Sequence, residues 1–266
     1  MTARQYDHNS KAGNRGDVAK HPALVAAIKG LLAGHEGLFR YADSFAGRWE
    51  YNLSQGGVWT QGIERFAAAW KDGHPDVQFW REQWSADPDA RYPGSTQLAK
   101  GLLDGYGPHE IRAFERVDEY ATGLRGGLGE EAVFQHTASA RDWAGWRPDL
   151  LFIDPPGLHS GAHPDYPTLT ALLASAKDAA NVLMWLPMTT APGQGGPIVP
   201  LAMGTIAVWS DCLRAGHRVL AVRWHNADPL CGCLLVYRFD SGYVEERVGM
   251  AVRDVVGTMG EDWRVV

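Results

Sequence analysis

The chain has 266 residues, of which 45% are hydrophobic and 21% charged, and its formal net charge is −6. These values are ordinary for a globular protein and allow one α/β domain with an insertion. No stretch approaches the roughly 20 apolar residues of a membrane helix, and the N-terminus lacks the apolar region of a signal peptide. The net acidity argues against non-specific coating of nucleic acid. We therefore expect a cytoplasmic, monomeric protein.

The cysteines exclude two other classes. Cys231 and Cys233 are separated by one residue, which is poor geometry for a mutual disulfide, and Cys212 lies alone. A zinc site would need a second Cys pair, or a His at finger spacing, and the sequence has neither. We expect free thiols and no metal.

The first half of the chain predicts a helix, a strand and an insertion. Apolar residues at helical spacing predict a first helix over 17–33, and a buried strand follows over 38–42 and ends at Asp43. A turn containing Gly47 comes next, and a further helix is predicted over 96–103. Between them, aromatic residues at roughly helical intervals predict a small helical insertion over 52–91: Trp59, Phe66, Trp70, Phe79, Trp80 and Trp84.

The second half alternates short apolar runs with helical stretches, which predicts a mainly parallel sheet with helices on both faces. The last two runs are joined by only about eight residues, too few for a helical crossover, so the final strand should run antiparallel at the end of the sheet. The predicted strands are 111–115, 132–136, 149–154, 180–187, 217–224 and 233–239.

Acidic residues stand at the ends of these runs. In a parallel sheet, ligands bind beyond the carboxyl ends of the strands. Asp43, Glu115 and Asp154 end three of the predicted strands, and Asp142 follows another. A carboxylate such as Glu115 suits the vicinal hydroxyls of a ribose. Taken alone, an Asp or Glu at a strand end is more often a helix cap or a solvated loop residue than a ligand-binding one.

The most specific motif is Asp154-Pro155-Pro156, directly after a buried run. Two prolines fix φ twice and remove two amide donors, so the Asp154 carboxylate and the Pro155 carbonyl can face a cleft rigidly. Two such acceptors suit an amino group, because they orient it and stabilise the positive charge that develops when it is methylated. The alternative is a proline-stiffened loop.

Two motifs resemble known families. Asp154-Pro155-Pro156 is similar to the motif of adenine-N6 and cytosine-N4 methyltransferases. The N-terminal string Tyr6-x-His8-x4-Ala12-Gly13-Asn14-x2-Asp17-Val18-x-Lys20-His21 closely resembles the start of the ribosomal RNA large subunit methyltransferase J family, which methylates an adenosine N6 in 23S rRNA. Further matches continue in the same order: Tyr92-Pro93-Gly94-Ser95, Glu115, Asp142 and Ile153 to Pro156.

This resemblance implies a Rossmann-like class I methyltransferase fold, S-adenosyl-L-methionine as cofactor and RNA, most specifically 23S rRNA, as partner. The methyltransferase domain would span 1–51 and 92–266, with 52–91 as a helical insertion subdomain. Asp154, Pro155 and Pro156 would be catalytic, while Tyr6, His8 and Lys20 would contact the substrate. The implied cofactor-binding residues are Lys20, His21, Asp43, Phe45, Ser95, Glu115, Asp142 and Trp143.

The sequence departs from the family at two places. Gly157 stands where the motif carries an aromatic that stacks on the base, and His159 and Tyr166 are the candidates to replace it. Phe45 stands where the family's turn has a histidine. These departures leave two alternatives open: a methyltransferase of the same fold acting on DNA, another RNA or a small molecule, and a catalytically degenerate relative that binds RNA.

Overall fold

The structure is a computed structural model that describes residues 11–53, 57–84, 91–155, 174, 176–177, 179–190, 197–198, 216–224 and 230–266. Seven of the residues discussed above lie outside these ranges: Tyr6, His8, Pro156, Gly157, His159, Tyr166 and Cys212. The α-helices are α1 (Arg15–Leu32), α2 (Ile63–Ala69), α3 (Pro75–Glu82), α4 (Ser95–Asp104), α5 (Asp118–Leu128) and α6 (Gly242–Met259). The strands are β1 (Phe39–Asp43), β2 (Glu50–Asn52), β3 (Arg91–Pro93), β4 (His109–Phe114), β5 (Val133–Phe134), β6 (Leu150–Ile153), β7 (Asn181–Thr190), β8 (Pro197–Ile198), β9 (Arg218–Trp224), β10 (Leu230–Arg238) and β11 (Trp263–Val265).

Within the described residues, nine strands form one sheet in the order β11-β9-β10-β7-β6-β1-β4-β5, with β8 paired to β7. Five neighbouring strands of this sheet run parallel to one another: β7, β6, β1, β4 and β5. The chain thus has a mixed α/β fold with a large, mostly parallel sheet, compatible with the predicted Rossmann-like architecture. All the apolar runs predicted as strands contain a strand.

The predicted antiparallel pairing of the last two apolar runs is confirmed, but their position is not. Strand β10 lies between β7 and β9 and runs antiparallel to both. The edge of the sheet is formed instead by β11, antiparallel to β9, in a C-terminal segment for which the sequence predicted no element. Trp263 explains this strand, because its ring stacks on Trp224 of β9 with centroids 4.7 Å apart.

Helix α1 begins after Asn14, whose side chain accepts hydrogen bonds from the backbone N–H groups of Gly16 and Asp17. These bonds satisfy two of the donors that every helix start leaves unpaired. Most of α1 is buried, because it packs between the sheet and α6. This packing holds the first turns of α1 close to the sheet.

The two faces of the sheet bury different side chains, since neighbouring residues of a strand alternate. Phe152 and Leu183 point into the core that contains α1, α4 and α6, whereas Ile153 and Met184 point to the opposite face. Helices are therefore confirmed on the α1 face. On the other face, much of the chain that precedes β7 and β9 is outside the described residues.

The predicted insertion contains α2 and α3 and is bounded by β2 and β3, which pair with each other antiparallel. Its aromatic residues do not form a separate core: Phe66 and Trp80 are buried in the same cluster as α1 and α6. Asp76 at the start of α3 is fully buried and binds both Arg247 Nε and Nη2 of α6 at 2.6 Å. The insertion is thus joined to α6 by a buried ion pair.

Candidate functional site at the carboxyl edge of the sheet

The carboxyl ends of β1, β4 and β6 bring three acidic residues to one edge of the sheet. Asp43 is the last residue of β1 and pairs in register with Ala113 of β4 and Phe152 of β6. Glu115 and Asp154 each lie two residues beyond those partners. The edge therefore carries Asp43, Glu115 and Asp154, as the apolar runs predicted.

Asp43 is completely buried but is well supplied with donors. Its Oδ2 accepts hydrogen bonds from Ser95 Oγ at 2.6 Å, Thr96 Oγ1 at 3.0 Å and Tyr41 Oη at 3.2 Å. Burial raises the pKa of Asp43 to about 6; the bonds from Ser95 and Thr96 oppose this rise, and the nearby charge of Asp154 adds to it. Asp43 thus anchors the start of α4 beneath the edge, and Ser95 is its direct partner.

The turn after β1 is held by its backbone. Phe45 donates its N–H to Asp43 Oδ1 at 3.3 Å, and Gly47 donates its N–H to Glu115 Oε2 at 2.9 Å. Gly47 has a φ of +65°, and a Cβ there would lie 2.5 Å from Tyr51 Oη. A glycine is required at this position for both reasons. The Phe45 side chain packs, partly buried, against the core of the opposite face.

Glu115 is fixed by the chain on both sides. Its Oε2 accepts the bond from Gly47, and its Oε1 accepts one from the N–H of Val117 at 2.7 Å. Burial raises the pKa of Glu115, and these backbone donors partly counteract it. Each oxygen retains acceptor capacity, because a carboxylate oxygen has two lone pairs. A ribose hydroxyl is a chemically suitable donor for them.

A buried ion-pair chain crosses from α1 to the end of β6. Lys20 Nζ lies 2.7 Å from Asp17 Oδ1 and 2.5 Å from Asp154 Oδ2. Lys20 and Asp17 are almost fully buried, whereas the Asp154 side chain is 19% exposed. Burial alone would lower the pKa of Lys20, but the charges of Asp154 and Asp17 outweigh it and hold the pKa above its usual range. Of the three ion-paired side chains, Asp154 is therefore the one that solvent can reach.

Trp185 of β7 lies beside the ion-paired side chains of Lys20 and Asp154. Because Ile153 pairs in register with Met184, Trp185 is level with Asp154 on the neighbouring strand and on the same face. Lys20 Nζ lies 5.2 Å from the centroid of the Trp185 ring. A Cβ on Gly16 would lie 2.8 Å from Trp185 Cζ2, so the first turn of α1 rests against this ring.

Asp142 and Trp143 lie in a short 3-10 helix, Ala140–Trp143, that follows β5. Asp142 caps this helix: Oδ2 accepts from Ser139 N and Oγ, and Oδ1 bonds His136 Nε2 at 2.7 Å. Burial would raise the pKa of Asp142, but these bonds outweigh it and lower the pKa. Trp143 is buried and packs edge-on against Phe114. Asp142 therefore has the helix-capping role that is common for an acidic residue after a strand.

His21 faces the insertion. It is almost fully buried, and its Nδ1 shares a hydrogen bond with the Tyr92 hydroxyl at 2.6 Å, the two rings being stacked. Tyr92 belongs to β3 and ends the inserted segment. His21 therefore connects α1 to the base of the insertion, one residue from the ion-pair chain of Lys20.

Sequence reasoning did not assign a role to Asp17 or Trp185. In the sequence, Asp17 was noted only as part of the N-terminal string that resembles the family. Its position three residues before Lys20 on a helix nevertheless favours an ion pair. Trp185 lay within the apolar run 180–187, where an aromatic is most simply interpreted as core. Only the register of β6 and β7 places it beside Asp154.

Among the described helices, none combines the length and the apolar character needed to cross a membrane. The described residues also contain no cluster of three His, Cys, Asp or Glu side chains suited to a metal ion.

The chain is thus a mixed α/β protein with a candidate site at the carboxyl edge of a mostly parallel sheet. It is similar in fold to protein LPL1258 from Legionella pneumophila, of family model DUF519, with 15% identity and a TM-score of 0.69 over 96% of this chain and 97% of that chain. A SAM dependent methyltransferase from Aquifex aeolicus aligns with 17% identity and a TM-score of 0.29 over 53% and 74% of the two chains, a likeness too weak to support an argument. No protein-family model and no curated protein matches the chain.

Proposed function

We propose that this protein transfers a methyl group from S-adenosylmethionine to the N6 amino group of an adenosine in RNA, with 23S rRNA as the substrate. The observation that carries the proposal is the position of Asp154. Asp154 directly follows β6, and its carboxylate is partly exposed. The next residue is Pro155, which has no backbone N–H that could occupy the carboxylate in place of a substrate amine.

Asp154 would orient the target amine. The lone pair of an exocyclic amino group is delocalised into the base, so the group is a poor nucleophile until hydrogen-bond acceptors reorient it. Lys20 occupies Oδ2 of Asp154, and among the described residues Oδ1 has no hydrogen-bond partner, so it can accept an N–H from the amine. The same carboxylate can receive the proton that the nitrogen loses after methylation. Pro155 and the adjoining Pro156 would complete this role in the proposal.

The edge fits the cofactor chemically. S-adenosylmethionine supplies, when bound, an electrophilic methyl group on a positively charged sulfur. The buried Asp43 and Asp17 and the partly exposed Asp154 outnumber Lys20 at this edge, so the surroundings favour a cation. Glu115 offers acceptors to ribose hydroxyls. Ser95, Asp43 and the turn carrying Phe45 would shape the rest of the cofactor site.

Other proposed roles rest on the sequence resemblance. Tyr6 and His8 would contact the RNA from the N-terminal segment, together with Lys20. Asp142 and Trp143 would border the adenine of the cofactor, and Lys20 and His21 would contact the cofactor as well. The whole-length likeness to LPL1258 supports a shared fold for these assignments and does not extend to substrate.

The test is methylation of deproteinised 23S rRNA with labelled S-adenosylmethionine. We expect label in N6-methyladenosine with the wild type, and at least a 100-fold lower rate for Asp154→Asn, since general acid–base groups contribute about 10²- to 10⁴-fold. Asp104→Asn is the control, because Asp104 is an exposed residue of α4 that pairs with Lys100.

Other results would redirect the proposal. Label in DNA or in a small molecule, with none in rRNA, would retain the methyltransferase and replace its substrate. Binding of rRNA without measurable affinity for S-adenosylmethionine in calorimetry would show a degenerate, RNA-binding relative.

A further inference from the structure

One aromatic side chain beside Asp154 belongs to β7, the strand that pairs with β6. Trp185 is level with Asp154 in the register of β6 and β7, and both side chains point to the α1 face. Lys20 contacts both of them, through an ion pair with Asp154 and through the face of the Trp185 ring at 5.2 Å. The carboxylate and the indole thus share one neighbour.

The Trp185 ring is held at one edge and partly exposed elsewhere. Its Nε1 is inaccessible to solvent and interacts with the buried thiol of Cys233, and its Cζ2 lies against the backbone of Gly16. The side chain as a whole is only half-buried. The side chain therefore retains exposed area although this edge of the ring is enclosed.

We infer that Trp185 is the stacking surface for the base whose amino group Asp154 accepts. This inference rests on the proposed function and identifies the substrate-contacting residue. Enzymes that act on a base extrude it and hold it by stacking on aromatic or apolar side chains while hydrogen bonds read its edge. A carboxylate and an indole on adjacent strands, facing the same side, supply these two contacts together.

The arrangement also explains the tight packing at Gly16. A substrate-contacting ring must keep one orientation, because a loosely held ring loses entropy when the base binds. Gly16 and the cation of Lys20 restrict the ring from two directions. Trp185 is in this way preorganised by α1.

The test is binding of adenosine 5′-monophosphate to the full chain with S-adenosylhomocysteine present, measured by calorimetry. Stacking of a base on an aromatic contributes about 1 to 3 kcal/mol, which corresponds to a loss of about 5- to 150-fold. We expect Trp185→Leu to weaken the affinity within this range and Trp185→Phe to weaken it less than about 5-fold. Trp70→Leu is the control: Trp70 is another half-buried tryptophan, stacked on Phe66 in the insertion.

A second measurement covers the case in which Trp185→Leu does not fold. Nucleotide binding should quench tryptophan fluorescence in the wild type and in Trp70→Phe, and the quenching should disappear in Trp185→Phe. Unchanged quenching in Trp185→Phe, wild-type affinity in Trp185→Leu, or no nucleotide binding by the wild type would each overturn the inference.

The two proposals fail separately. If rRNA is not methylated but nucleotide affinity depends on Trp185, the proposed reaction is wrong and the base site remains. If rRNA is methylated equally by wild type and Trp185→Leu, the reaction remains and the role of Trp185 is wrong.

Discussion

Lys20 Nζ and Asp154 Oδ2 lie 2.5 Å apart although 134 residues separate them in the chain. The pair joins the second turn of α1 to the end of β6, and Asp17 holds the ammonium from the other side. Removal of one member of a buried pair leaves an uncompensated charge, which is far more costly than the loss of an exposed pair.

Lys20→Met should therefore lower the free energy of unfolding by about 3 to 5 kcal/mol in urea denaturation. The control Lys100→Met removes an exposed pair with Asp104 and should cost less than about 1 kcal/mol. In the double variant Lys20→Met/Asp154→Asn one of the two stranded carboxylates becomes neutral, so part of the stability should return. No recovery in the double variant would show that the two side chains are not coupled.

The raised pKa of Asp43 predicts that the free energy of unfolding depends on pH. Its pKa is about 6 in the folded protein and 3.8 as the reference value, so the folded state binds the proton more tightly. This contribution to stability is complete below the unfolded pKa and is lost as the pH rises through about 6. The stability of wild type relative to Asp43→Asn should accordingly fall by about 1 to 3 kcal/mol between pH 3.5 and pH 8.

The measurement for Asp43 is urea unfolding of both proteins at several pH values, with Asp104→Asn as the control for an exposed aspartate. A constant difference between Asp43→Asn and wild type across the whole pH range would contradict the raised pKa.

Gly47→Ala should be destabilising for two separable reasons. The positive φ costs about 1 to 2 kcal/mol for a residue with a Cβ. The new Cβ would also lie 2.5 Å from Tyr51 Oη, so either this hydroxyl or the turn that binds Glu115 must shift. Thermal unfolding measures the total cost, and titration with S-adenosylmethionine should show weaker binding.

Two further variants separate the causes at Gly47. Gly37→Ala has a positive φ of +93° with no atom within 4 Å of its Cβ, and should show the conformational cost alone. Introducing Gly47→Ala into a Tyr51→Phe background removes the overlapping oxygen. An equal cost of Gly47→Ala in both backgrounds would mean that the overlap has no effect.

Arg247→Met should destabilise the protein by about 3 kcal/mol, because Asp76 remains fully buried without its bidentate partner. Lys29 at 3.6 Å from Asp76 offsets part of the loss. Arg65→Met, which removes the exposed pair with Asp262, is the matched control. If unfolding of Arg247→Met remains a single transition, the insertion unfolds together with the sheet; a separate early transition would contradict the shared core.

Much of the sheet could be predicted from apolar runs, because a buried parallel strand such as β6 is apolar on both faces. The acidic residues at the strand ends followed from the same pattern, and the structure brings Asp43, Glu115 and Asp154 to one edge. Strand β11 could not be predicted, since its formation depends on Trp263 meeting Trp224, a contact that has no local signal. Trp185 was missed for a similar reason, because strand register is a tertiary property.

The placement of β10 between β7 and β9 has a consequence for synthesis of the chain. While the polypeptide is being made, β7 and β9 leave the ribosome before β10, the strand that separates them, so one long side of β7 stays open until β10 has emerged as well. Unpaired strand edges promote association between chains. Nascent molecules should therefore be most prone to associate with one another between the emergence of β7 and that of β10, and a chaperone that covers a strand edge would act in that interval.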